Sequence, residues 1–235
     1  MPRSPFETLT ETLLRGGIAP RHVRRYISEL RDHYDDLLSA ARSAGVQPPE
    51  AERAALARIG APDELTQAML DRDDLKSWAA RYPALMFGVV PTLMLAAGVG
   101  IFVLCLAAVI FSFRLDEGYS VIPETWRAIV GVGVFGVTYV LPLIVAGIVA
   151  KIGLDQRVDA RWLLIGIGIV GVIGGYFDIS VEWPAYVGAP GELNFGLGLF
   201  PPYPQFGFGL MRTVLNVTVI AIPTVLMMRR YAKHA

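Results

Sequence analysis

The residues that could do chemistry are few, and most stand apart from one another. His33 is flanked by Asp32, Asp35 and Asp36. On a helix, His33 and Asp36 share a face at i and i+3. A metal site needs three or four converging ligands, and no second cluster supplies them. This is therefore a solvated charged face, and no metal is expected. Two runs, Gly131-Val-Gly133-Val-Phe-Gly136 and Gly166-Ile-Gly168-Ile-Val-Gly171, match the dinucleotide fingerprint G-x-G-x-x-G. That fingerprint needs a strand before it, an amphipathic helix after it and an acidic residue further on. Neither run has that context, and a pyrophosphate does not enter hydrocarbon. Their glycines read instead as close helix packing, with Gly171-xxx-Gly175 as one example. Asp178, Glu182, Glu192 and Arg212 form the remaining titratable group, and no His joins them. Integral-membrane enzymes gather acid–base groups near an interface. Here no catalytic residue and no cofactor are expected. Cys105 is the single cysteine, so no intrachain disulfide forms.

The elements that carry these residues divide at Pro83. Up to Tyr82 the chain is charged, Arg-rich and amphipathic. Beyond it, apolar runs follow one another between short polar joints. Residues Ala84 to Phe113 include no Asp, Glu, Lys, Arg or His. About 20 such residues cross a bilayer as a helix. Spans are expected near Ala84–Phe113, Ala128–Ala150, Trp162–Phe177 and Gly209–Met228, the third close to the lower length limit. No span centre holds an ionisable residue that would mark an ion path. Asp178 and Arg212 fall near span ends, where they snorkel or pair with one another. Pro91, Pro142 and Pro223 are expected to kink their spans. The opening residues MPRSPFETLTETLLRGG have no apolar core before a cleavage site. Targeting is therefore expected from the first membrane helix.

Lys/Arg asymmetry sets the orientation. Arg72, Lys76 and Arg81 precede span one; Lys151, Arg157 and Arg161 lie between spans two and three; Arg229, Arg230 and Lys233 follow span four. All belong on the cytoplasmic side. The joint 114–127 balances Arg114 and Arg127 against Asp116, Glu117 and Glu124, and the segment 178–208 has no Lys or Arg. These face outward. The segment 178–208 is rich in aromatic residues, among them Trp183, Tyr186, Phe195, Phe200, Tyr203, Phe206 and Phe208. It reads as a loop on the outer leaflet, or as a docking surface for a partner or lipid-like ligand.

The head before the spans is punctuated as helices. Pro20 opens the first, with Ile27, Leu30, Tyr34, Leu37, Leu38 and Ala41 along one face and Gly45 as a left-handed cap. Pro48 and Pro49 start the next, with Ala51, Ala54, Ala55 and Ile59 inward and Gly60 at its end. Pro62, Asp63 and Glu64 start a third, where acidic residues complement the dipole; Leu65, Ala68 and Met69 face inward. A further amphipathic helix near 4–15 precedes these. Trp78 and Tyr82 mark the membrane interface. Residues 1–82 hold 12 Lys/Arg against 13 Asp/Glu. That balance argues against nucleic-acid binding, although the basic cluster Arg21, His22, Arg24 and Arg25 suits anionic lipid.

The string Glu29-Leu-Arg-Asp32-His33-Tyr-Asp-Asp36, then Ala44-Gly45, then Glu50-Ala-Glu-Arg-Ala-Ala-Leu-Ala-Arg-Ile-Gly60-Ala-Pro62-Asp-Glu-Leu65 resembles the HAAS signalling domain. It is also similar to the prefix domain of some bacterial ABC-transporter permeases. The resemblance covers about residues 20–72, under a third of the chain. It implies a bacterial inner-membrane protein with a regulatory or adaptor role, often encoded beside PadR-type regulators, and no catalysis. The permeases carry a large extracytoplasmic domain that the membrane part here lacks.

The expected fold is all-α: a cytoplasmic helical head over 1–80, then a four-helix transmembrane bundle over 81–235, with both termini inside. The expected function is a non-enzymatic membrane adaptor, signalling or regulatory protein; the alternative is a small transporter or permease subunit. Expected partners are membrane lipids and a cytoplasmic or membrane protein, with no nucleic acid; the small-residue faces are compatible with a homo-oligomer. Partner contact is assigned to Glu29, Asp32, His33 and Asp36 on the head, and to Trp183, Tyr186, Phe200 and Tyr203 in the outer segment.

Overall fold

The computed structural model describes residues 5–114, 122–184, 186–188, 192–198 and 206–233. It divides into two compact units. One is Met1–Pro83 with Gly153–Asp159 and Met228–Ala235; the other is Ala84–Ile152 with Ala160–Met227.

In the first unit, α1 (Pro5–Arg15), α2 (Pro20–Ser43), α3 (Pro48–Ile59) and α4 (Pro62–Leu70) pack together, and the single turn α5 (Trp78–Arg81) follows them. Proline opens each of the first four, where a missing N–H costs nothing. The core is Leu9 and Leu13 of α1, Ile18, and Val23 and Ile27 of α2, with Leu30, Met69, Leu70 and Leu75 around it. The periodicity of α2 places Ile27 correctly, while Leu37, Leu38 and Ala41 are only half-buried. In α3, Ala51 and Ala55 are buried as expected, whereas Ala54 there and Ala68 of α4, also expected inward, are exposed. Gly45 closes α2 as anticipated: its φ is 79°, and Val46 N–H reaches back to the Ala41 carbonyl at 3.2 Å. Gly17 does the same for α1, with Ile18 N–H on the Leu13 carbonyl at 3.1 Å. A further such cap is not a glycine. Arg157, after α8 (Leu141–Asp155), sits at φ 51°, a conformation costing about 1–2 kcal/mol for an L side chain. Its side chain explains the choice. Nη1 donates to the Leu154 carbonyl at 2.7 Å and Nε to both Glu11 carboxylate oxygens at 3.0 and 3.1 Å.

In the second unit, the segments Leu85–Ser112, Glu124–Asp155 and Gly207–Met227 are long and apolar enough to cross a membrane. They contain α6 (Val90–Ser112), α7 (Glu124–Phe135) with α8, and most of α10 (Phe206–Lys233). α9 (Ala160–Tyr176) is a shorter apolar helix of 17 residues. Pro91 and Pro142 have no N–H for the carbonyls of Phe87 and Thr138 four residues earlier. Each proline follows a π turn, Leu85–Val89 and Gly136–Val140, which relaxes the ladder where its donor is missing. The two π-turn stretches rest on glycines of α9. A Cβ on Gly166 would lie 2.9 Å from the Phe87 carbonyl, and one on Gly174 would lie 2.5 Å from the Pro142 ring. Gly171 and Gly175 face α10 in the same way, against Val217 and Thr213. The two G-x-G-x-x-G runs therefore lie inside helices, and Gly133, Gly166 and Gly171 are packing positions.

The all-α expectation is corrected between α9 and α10. Phe177–Glu182 is a strand, β1, and Glu192–Leu197 is a second, β2, paired antiparallel with Phe177 opposite Leu197 and Glu182 opposite Glu192. The sequences FDISVE and ELNFGL alternate apolar and polar residues, the period of a strand with one covered face.

Two measurements check this account. Gly175→Ala should cost about 1–3 kcal/mol by overpacking, because its Cβ would meet the Thr213 backbone N at 2.7 Å. Gly168→Ala, with open space around it, should be neutral or stabilising by up to about 1 kcal/mol; unfolding in detergent separates the two. In the head, the Lys76 hydrogen bond and charge hold Asp73 below its usual pKa, and the Arg72 hydrogen bond does the same for Asp74. A lowered folded-state value adds stability above the ordinary carboxylate pKa of about 3.9. That stability is lost as pH falls through the lowered value. Asp73→Asn should therefore lower the melting temperature slightly at neutral pH and converge with the wild type at low pH, which flattens the acid limb.

Candidate functional site: a clamped amphipathic hairpin over an apolar cavity

The strand register sorts the hairpin into two faces. Phe177 with Leu197, Ile179 with Phe195, and Val181 with Leu193 stand on one; Asp178 with Gly196, Ser180 with Asn194, and Glu182 with Glu192 stand on the other. The apolar face borders an open cavity of about 410 Å³, lined by Phe177, Phe195 and Leu197 together with Leu95, Ala96 and Pro142. That size falls within the range of ligand pockets, about 300–1,000 Å³. The polar face lines a recess of about 440 Å³ through Asp178, Ser180 and Asn194. Phe195, Gly196 and Leu197 border both spaces.

What holds the hairpin is the end of α9. A helix leaves its last carbonyls without partners, and the chain here turns directly from helix to strand. Three successive carbonyls are met from elsewhere. Arg212 of α10 donates to Gly175 O from Nε at 2.9 Å and from Nη2 at 2.6 Å, and its Nη2 also donates to Phe177 O. Gly198 N–H donates to Tyr176 O at 3.0 Å. Arg212 is 7% exposed, and its guanidinium carbon lies 5.5 Å from the centre of the Tyr139 ring and 5.7 Å from that of Phe208. Both ring faces attract it, and a cation at a helix C-terminus complements the dipole. Tyr139 reaches the charge from the π turn before Pro142.

The expected pair Asp178 and Arg212 is brought together, with Nη1 3.7 Å from Oδ1. That separation exceeds hydrogen-bond distance. The carbonyls, not the carboxylate, are the main partners of Arg212. Trp183 is half-buried just beyond β1, and Tyr186 is 69% exposed. Phe200 and Tyr203 lie outside the described residues. The Pro184 carbonyl after β1 accepts from Arg127 Nη2 of α7 at 3.3 Å. In the other unit, Glu29, Asp32, His33 and Asp36 are all exposed on the outer side of α2, with Glu29 paired to Arg25 at 2.8 Å. Among the described residues no group of three or more His, Cys, Asp or Glu converges. An apolar groove of about 240 Å³ also opens on the head, lined by Leu9, Leu30, Leu56, Ile59, Pro62 and Leu65. Tyr139, Gly196 and the groove were not singled out as site features from sequence. The strand alternation is the signal that would have found the hairpin.

No protein-family model, curated protein or solved structure matches this chain, so the resemblance of residues 20–72 to the HAAS domain has no support from these comparisons.

Arg212→Leu would leave the Gly175 and Phe177 carbonyls without that donor. Its expected cost is about 3–5 kcal/mol, the range for breaking a buried charged network. Asp178→Asn should cost under about 1 kcal/mol. Unfolding of both variants in the same detergent measures the difference, and equal losses would show that the carboxylate is the principal partner.

Proposed function

We propose that this chain is a non-enzymatic membrane adaptor or sensor of the bacterial inner membrane. Its head recruits a protein partner in the cytoplasm, and its apolar helices anchor the head and sense the bilayer. In this reading α9 completes a four-span bundle. The Lys/Arg asymmetry supports placing both termini on the cytoplasmic side. The observation that carries the proposal is the open groove of the head. Four helices meet there without filling the space between Leu30, Leu56, Ile59 and Leu65. Apolar pockets beside charged, exposed surface are where partner side chains anchor. The outer face of α2, with Glu29, Asp32, His33 and Asp36, supplies the charged surface.

The test uses the full-length protein in its native membrane. A photo-crosslinking residue at the exposed Glu29 should capture a discrete protein. Leu56→Asp should cut the yield about tenfold, the effect of losing one anchor of about 1.4 kcal/mol. Leu56 is partly exposed, so the head should fold normally. No discrete adduct, or an adduct unaffected by Leu56→Asp, would contradict the proposal.

A further inference from the structure

We infer that the hairpin unit is a binding site for a phospholipid with an amine headgroup: one acyl chain lies in the apolar cavity and the ammonium sits against Asp178. This inference stands apart from the head's partner and survives if no such partner exists.

The two spaces share one wall. The apolar cavity is bounded by Phe177, Phe195 and Leu197 together with α6 and the Pro142 turn. It lies in a unit whose long helices are suited to hydrocarbon, so an acyl chain is the occupant its surroundings supply. The recess on the other face offers Asp178, Ser180 and Asn194. Both open along Phe195, Gly196 and Leu197, so a molecule apolar at one end and polar at the other spans the strand edge. Gly196 leaves that edge low, since a side chain there would meet open space.

The headgroup class follows from charge. Neither strand carries a Lys or Arg, and the polar face carries Asp178, Glu182 and Glu192. Arg212 offsets the nearest of these three charges and leaves Glu182 and Glu192 to keep the face net negative. Its Nε and Nη2 are committed to Gly175 and Phe177, and Nη1 stands 3.7 Å from Asp178. The Asp178 side chain is 36% exposed, against 8% for Arg212. An exposed carboxylate beside two neutral polar groups accepts hydrogen bonds from an ammonium and repels an anionic headgroup.

Native mass spectrometry of the full-length protein, with phosphatidylethanolamine and phosphatidylglycerol of identical chains in competition, tests the site. Retention should favour the ethanolamine lipid about tenfold, the worth of one charge-assisted hydrogen bond. Asp178→Asn should bring the ratio near one while total lipid retention persists. Ala96→Phe, which fills the apolar cavity from α6, should reduce retention of both lipids. Gly196→Trp blocks the shared edge from the hairpin side and provides an independent check should Asp178→Asn unfold; it should abolish the preference. Equal retention by the wild type, a preference for the glycerol lipid, or an unchanged ratio in both Asp178→Asn and Gly196→Trp would overturn the assignment.

Discussion

The membrane-embedded unit depends on how the chain leaves α9. A helix that ends in apolar surroundings exposes carbonyls that no water can satisfy, at about 1–3 kcal/mol each when left buried and unpaired. Arg212 meets two of them from one planar guanidinium, and Gly198 meets the carbonyl between. A lysine is a point charge without that fork. Because the same guanidinium lies against Tyr139 and Phe208, the end of α9, the Gly136–Val140 turn, α10 and the start of β1 share one anchor. The hairpin is held as an ordered element, and its two faces acquire different surroundings.

A second constraint acts along α9. Proline removes a donor from each of two long helical segments, and the π turns before Pro91 and Pro142 need room. Glycine supplies it at Gly166 and Gly174, while Gly171 and Gly175 admit α10. Small residues allow helices to approach without a hydrophobic driving force between them. The four sites lie on one helix, so α9 acts as the spine against which the longer helices register. The apolar cavity is lined by the Pro142 turn, α6, the end of α9 and the hairpin. Pro142 and Gly174, which pack against one another, are both among its walls.

Much of the head was legible because its signals are local. Pro20, Pro48 and Pro62 open helices and Gly45 closes one through dihedral preferences that need no tertiary partner. The centre of its core was less so. Leu9 and Leu13 carry the burial, whereas the inward assignments of Ala54 and Ala68 failed because small apolar residues tolerate either side of a helix. Arg157 was readable as a charge near a membrane but not as a left-handed cap, since that role depends on Glu11, 146 residues away. In the segment 178–208, aromatic, glycine and proline content suggested an interfacial loop and obscured the period-two pattern of FDISVE and ELNFGL. Asp178 and Arg212 were recognisable as neighbours by their place at the span ends. That the arginine serves backbone carbonyls first depends on where α9 stops, which its glycine-rich sequence does not mark.

The central claim is that residues 177–197 include an ordered hairpin clamped to the end of α9. Hydrogen–deuterium exchange of the full-length protein in lipid nanodiscs tests it most directly. The paired amides of Phe177–Glu182 and Glu192–Leu197 should exchange at least about 100-fold more slowly than in an unstructured peptide, corresponding to local opening of roughly 3 kcal/mol. Exchange of these amides at the unstructured rate, with the amides of α9 still protected, would contradict it.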